Sequence, residues 1–114
     1  MRWKDVMEEA SSLLTLLSSQ LGLDRKVNLR IKKYRKWAAS ANLRTATITI
    51  DEDLANSYEV AKYLILHELI HIKLDTKYHS DEFYRLLYSI MEEDEVKAAM
   101  EEAVSIKRGK IRMH

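Results

Sequence analysis

The chain has no cysteine and no proline, and glycine occurs only at Gly22 and Gly109. Without cysteine there is no disulfide and no thiolate metal site, so a bound metal would have to be held by His, Asp or Glu. A cysteine-free chain suits a reducing compartment. Long hydrophobic runs are missing too: none approaches the ~20 residues of a membrane span. Asp5, Glu8 and Glu9 fall where a secretory leader needs a basic and then an apolar stretch, so a cytoplasmic location is expected. Side-chain amides are scarce, a composition common in thermophile proteins, and a mesophile-like melting temperature would count against that reading. Charge of one sign does not dominate. The net charge of +1 speaks against a nucleic acid or an anionic membrane as partner.

What is present is a globular balance of 46% hydrophobic and 32% charged residues. At 114 residues, one domain over 1–114 is expected. Such a chain buries roughly two-thirds of its unfolded surface, enough for a core without staples.

Trp3, Val6, Met7, Ala10, Leu13, Leu14 and Leu17 recur at helical spacing, which predicts an amphipathic helix over about 3–21 with Gly22 as its stop. Val27, Leu29 and Ile31 alternate with polar residues as a half-buried strand. A second short strand is expected over 36–40 and a third over the β-branched stretch 45–50. The short intervals favour an antiparallel meander. Asp51, Glu52 and Asp53 break the pattern. Helices follow over about 57–74, 81–91 and 93–106, and residues 107–114 form a basic, loosely held tail. The expected class is α+β: an N-terminal helix, a small, mainly antiparallel three-stranded sheet, a metal-binding helix, one or two C-terminal helices and a tail.

The chemistry is concentrated in His67-Glu68-Leu69-Ile70-His71. Residues four apart share one helix face, so His67 and His71 can present imidazoles to one ion. Glu68 projects beside the pair, placed to meet a metal-activated water without ligating the metal. The surrounding helix is apolar nearly all round, and two histidines and a glutamate buried there are costly unless a metal uses them. Catalytic zinc takes three protein ligands and keeps one position open. The third ligand is assigned to His79, beyond the break at 75–77; the rival ligands are acids, foremost Glu82 or Glu92, with Asp81, Glu93 and Asp94. The implied chemistry is peptide hydrolysis with one Zn2+ ion and Glu68 as general base. Tyr78, Tyr84, Arg85 and Tyr88 are candidates for steadying the oxyanion. Asp75 is either an orienting partner of a ligand histidine or a solvent-facing helix end.

His67-Glu68-Leu69-Ile70-His71 followed by His79-Ser80-Asp81-Glu82-Phe83 resembles the signature of SprT-like and related small zinc peptidases. Trp37-Ala38-Ala39-Ser40 ahead of Ile48-Thr49-Ile50 is similar to the strand that precedes their zinc helix. The compact length looks still more like the minigluzincins, and the resemblance covers about residues 27–90. It implies zinc on His67, His71 and His79, Glu68 as base, and an edge strand, at 37–41 or 44–50, that pairs with the backbone of a peptide or protein substrate. It also implies a latent form blocked by the C-terminal segment. Gly109 permits a bend, and His114 with the terminal carboxylate is a candidate latency ligand, so 107–114 is a candidate latency tail.

Two other readings compete. One is a non-catalytic, zinc-stabilised interaction module, which would have no need of Glu68. The other is a DNA-associated, SprT-like protease using the basic aromatic run Arg30–Trp37, more often a solvated face. A monomer or a helix-swapped dimer fits a chain of this size.

Overall fold

The computed structural model describes residues 3–112, with side chains from Asp5 onward. The elements are α1 (Trp3–Gln20), β1 (Asn28–Lys32), β2 (Ala39–Asn42), β3 (Thr47–Asp51), α2 (Glu52–Ala55), α3 (Tyr58–Leu74), α4 (Asp81–Ile90) and α5 (Glu93–Ile106). The class is α+β, as the sequence implies.

α3 is the hub. It is buried from Tyr63 through Ile72 and touches α1, β2, β3, α2, α4 and α5. Its all-round apolar sequence is the cause, because no face needs solvent. α1 covers it with Ala10, Leu13 and Leu17, a helical stripe that Leu21 extends just past the helix end.

The sheet is mixed, and here the meander expected from the short intervals is corrected. The strand order is β1-β3-β2, with β1 parallel and β2 antiparallel to β3. Six residues, 33–38, separate β1 from β2. They reach ~20 Å when extended, ample to cross two strand spacings of ~4.8 Å. β3 takes the centre because Ile48 and Ile50 are fully buried and its threonines are β-branched. β1, with exposed Arg30 and Lys32, takes one edge, where charge discourages further pairing. The second strand also starts later than the 36–40 expected, since Ala38 is where the chain turns into β2.

Asp51 organises that crossing. It is 1% exposed, and its carboxylate accepts from the Tyr34 amide at 2.9 Å and from Lys107 Nζ at 2.9 Å. Residues 51–53, expected only as a break, end β3 and open the short helix α2. Through Lys107 the end of α5 is fastened to the end of β3, and Lys107 also reaches Asp53 at 3.2 Å. The tail is held rather than loose through its described length: Ile111 packs on the core, Arg112 lies over the Trp37 ring, and the Ala38 amide donates to the Arg112 carbonyl at 2.7 Å.

Candidate metal centre

α3 starts behind Ser57 at its N-cap and carries His67 and His71 one turn apart. Its C-terminus builds the rest. Asp75 adopts a left-handed conformation (φ 51°), its amide donates to the Ile72 carbonyl, and the Thr76 amide donates to the His71 carbonyl, both at 3.2 Å. This double closure is the Schellman arrangement, which ends a helix and reverses the chain. The reversal aims the Thr76 carbonyl at the His71 ring, where it accepts from Nδ1 at 2.8 Å. A carbonyl only accepts, so His71 Nδ1 carries the proton and Nε2 keeps its lone pair. Asp75, offered as an orienting carboxylate, is instead an exposed cap.

The returning chain delivers His79. Its Nε2 lies 3.2 Å from those of His67 and His71, which are 3.3 Å apart. Ser80 then caps α4, its Oγ accepting from the Phe83 amide at 3.3 Å. That cap sets Phe83 under the cluster, its ring centroid 4.9 Å from each of the three imidazoles. Tyr63, one turn before His67, places its hydroxyl 3.3 Å from His67 Nδ1. Burial, first of all, pushes the Tyr63 phenol up to about 12, so it stays neutral.

Glu68 is fully buried and neither carboxylate oxygen has a hydrogen-bond partner among the described residues. Its Oε2 stands 3.9 Å from His67 Nε2. Burial raises the carboxyl from 4.5 to about 8. An acid so placed is either neutral or in need of a nearby cation.

The donor set fits a small divalent cation. Nitrogens on one tetrahedral zinc, at bonds of ~2.0–2.1 Å, stand roughly 3.3–3.4 Å apart, close to the observed triangle. Neutral imidazoles are its common ligands, and two of the three have the outer hydrogen bond that fixes a ligand ring. Among the described residues His67, His71 and His79 form the metal-competent group, and no acid joins it. Asp81, Glu82, Glu92, Glu93 and Asp94 are exposed. His114 lies outside the described residues.

Of the candidate electrophiles, Tyr78 is 80% exposed and Arg85 pairs with Glu82 on the surface. Tyr84 and Tyr88 stack on each other beside the site, with Tyr84 6.4 Å from His79 between ring centroids. Sequence reasoning gave no site role to Tyr63 or Thr76. Tyr63 was legible in principle, since four residues before His67 places it on the same face. Thr76 acts through its carbonyl, which every residue type has, so no residue pattern marks it.

A histidine pair on a helix, completed by a third histidine and flanked by a carboxylate, is the constellation of metallopeptidases. Residues 3–102 match the model of the YgjP-like metallopeptidase domain, and the chain belongs to that family. An uncharacterized protein of Aquifex aeolicus is 34% identical over 89 residues, covering 76% of this chain and 80% of its own. A second, of Methanocaldococcus jannaschii, is 27% identical over 94 residues, or 81% and 82% of the two chains. Among solved structures, the metallopeptidase zymogen of Pyrococcus abyssi abylysin superposes with a TM-score of 0.82 at 27% identity, covering 92% of this chain and 99% of that one. The zymogen of Methanocaldococcus jannaschii jannalysin shares the fold, with a TM-score of 0.76 at 22% identity over 84% and 94%. The resemblance to minimal zinc peptidases of the minigluzincin type is thereby borne out.

Proposed function

We propose that the protein is a zinc-dependent endopeptidase acting on extended segments of peptides or proteins in the cytoplasm. The observation that carries this is the triangle of Nε2 atoms from His67, His71 and His79 beside the buried, unpartnered Glu68. Zinc held by the three histidines would supply Lewis acidity, polarising a peptide carbonyl and acidifying water. Glu68 takes the proton from the attacking water and hands it to the leaving amine. Tyr63 and Thr76 hold the His67 and His71 rings in orientation, and Phe83 supports all three. Among the described residues β2 pairs with β3 on one side only and packs against α3, and its other edge would take a substrate backbone. Of the two stretches offered for that role, 44–50 contains the central strand and 37–41 contains most of the edge. An interaction module would have no use for the buried Glu68.

The test is metal analysis with cleavage of an unstructured protein. One equivalent of zinc is expected, with Glu68→Gln keeping the metal and losing about 10²–10⁴-fold in rate. Wild-type protein that takes up no zinc ends the reading.

Latency belongs to the same proposal. The tail docks on Trp37 and Ala38, immediately before the β2 edge, and the similar abylysin structure is described as a zymogen. We assign residues 107–114 to a segment that closes the cleft, with His114 directed to the metal. Because Lys107 holds Asp51, the informative cut falls after Gly109. Removing 110–114 should raise the cleavage rate, and an unchanged rate sinks the idea.

A further inference from the structure

A groove of about 430 Å³ runs between the β2 edge and the loop that follows α3, lined by Tyr34, Trp37, Ser40, Leu43, Arg44 and Lys77 among others. Its two cations come from different elements. Arg44 stands at the β2–β3 turn, and Lys77 stands between Thr76, which orients His71, and His79. The groove therefore flanks the metal centre on the side of β2 turned away from β3.

The turn presenting Arg44 is rigidly built. Asn42 Oδ1 accepts from the Arg44 amide at 3.0 Å and the Thr45 amide at 3.1 Å, and Ala46 takes a left-handed conformation at φ 52°. The Arg25 guanidinium donates to the Arg44 carbonyl at 3.0 Å. The Arg44 side chain itself is exposed, as is that of Lys77, and neither has a carboxylate within 4.0 Å among the described residues. The flank is positive in its sequence as well: from Arg25 to Arg44 the chain holds eight basic residues and no acidic one. Trp37 adds to this, since Lys36 and Arg112 both lie over its ring. The net charge of +1 conceals this concentration, because the acidic residues gather elsewhere, notably along α5.

The geometry points to this groove as a subsite for an acidic side chain of the bound peptide, held between Arg44 and Lys77. The inference rests on the proposed pairing of substrate with β2. An extended peptide along that edge alternates its side chains, so an Asp or Glu on the groove-facing side meets both cations without disturbing backbone pairing. Two exposed charge contacts, each modest, give roughly a fivefold preference at low salt, and the preference fades as salt screens them.

The test uses the Glu68→Gln protein loaded with zinc, full-length and with residues 110–114 removed, and fluorescein-labelled eight-residue peptides that differ only in Glu, Gln or Lys at alternate positions. Fluorescence anisotropy at low and high salt should show the Glu peptide binding roughly fivefold tighter than the Gln peptide. Arg44→Glu with Lys77→Glu, checked by circular dichroism and zinc content, should reverse the order in favour of Lys. Equal affinities, no binding of any peptide by either form, or a preference that survives the double substitution overturns the subsite. Concentration-dependent dimerisation abolished by the double substitution, without acidic preference, assigns the groove to a second copy and also overturns it. Acidic preference in a protein that cleaves nothing, even after removal of 110–114, supports the groove while sinking the peptidase reading. Zinc-dependent cleavage without acidic preference does the reverse.

Discussion

At the scale of single residues, the metal centre depends on which nitrogen of each imidazole carries its proton. Thr76 fixes this for His71 through a carbonyl, which only accepts, whereas the Tyr63 hydroxyl, which burial keeps neutral and which can donate or accept, holds the His67 ring in place without dictating its tautomer. Only the second can be removed by substitution. Tyr63→Phe keeps the ring and deletes the partner of His67 Nδ1. Zinc affinity should fall about 10–100-fold, the usual cost of losing an outer partner of a ligand histidine. Competition with a chromogenic chelator measures this. Unchanged affinity would show that the hydroxyl plays no part in orienting His67.

At the scale of elements, the end of α3 does two things at once. The left-handed Asp75 closes the helix, and the same reversal delivers Thr76 and His79 to the metal centre. Glycine adopts this conformation without the clash a Cβ brings, so Asp75→Gly should raise stability by roughly 0.5–1 kcal/mol and leave zinc binding intact. Asp75→Val should lower both the denaturation midpoint and the zinc affinity, because a β-branched side chain resists positive φ. A midpoint that drops with zinc affinity unchanged would uncouple the cap from the site. The other junction is Lys107 on Asp51. Lys107→Met leaves a buried carboxylate with, among the described residues, only the Tyr34 amide and should cost about 1–3 kcal/mol in chemical denaturation. The hydrogen bond to Asp51, above all, raises the Lys107 amine above its usual 10.5. Its contribution is therefore complete below that value and is lost as pH rises through the folded value. The stability gap between wild type and Lys107→Met should close in strongly alkaline buffer.

The elements show what the sequence made legible. α1 and α4 were readable from apolar residues at 3.6-residue spacing, and α3 from an apolar run too long for a strand. His67, His71 and His79 were readable because helix geometry and the break after Leu74 dictate their meeting. The strand order was not. Alternation in Leu29 and Ile31 says which face is buried and nothing about which neighbour pairs. The crossing that carries the chain from β1 past β3 to β2 is anchored by Asp51 on Tyr34 and Lys107, contacts spanning 17 and 56 positions that no local pattern encodes. The acidic break at 51–53 hid both the helix α2 and the anchor.

At the scale of the whole molecule, metal and fold are thermodynamically linked. Two of the three histidines lie on α3, which packs on the common core, and the third on the loop that leads to α4, so a ligand bound only by the folded state stabilises all of it. Free zinc at ~100 times its dissociation constant should add about 2.7 kcal/mol. Chelation should lower the melting temperature of the wild type and leave that of His79→Ala nearly unchanged. A wild-type melting curve indifferent to chelator would break the link between the triangle and zinc.

The parallel pairing of β1 with β3 also has a kinetic consequence. The central strand is the last of the three in the chain, so residues 28–32 have no neighbour to bond until 47–51 arrive and insert beside them. The histidines, by contrast, are separated only by a helical turn and a cap, and closing so short a span carries a small entropic cost. Once the helix and its cap are made, metal capture needs no distant segment, whereas the sheet requires a long-range search of the kind that slows folding.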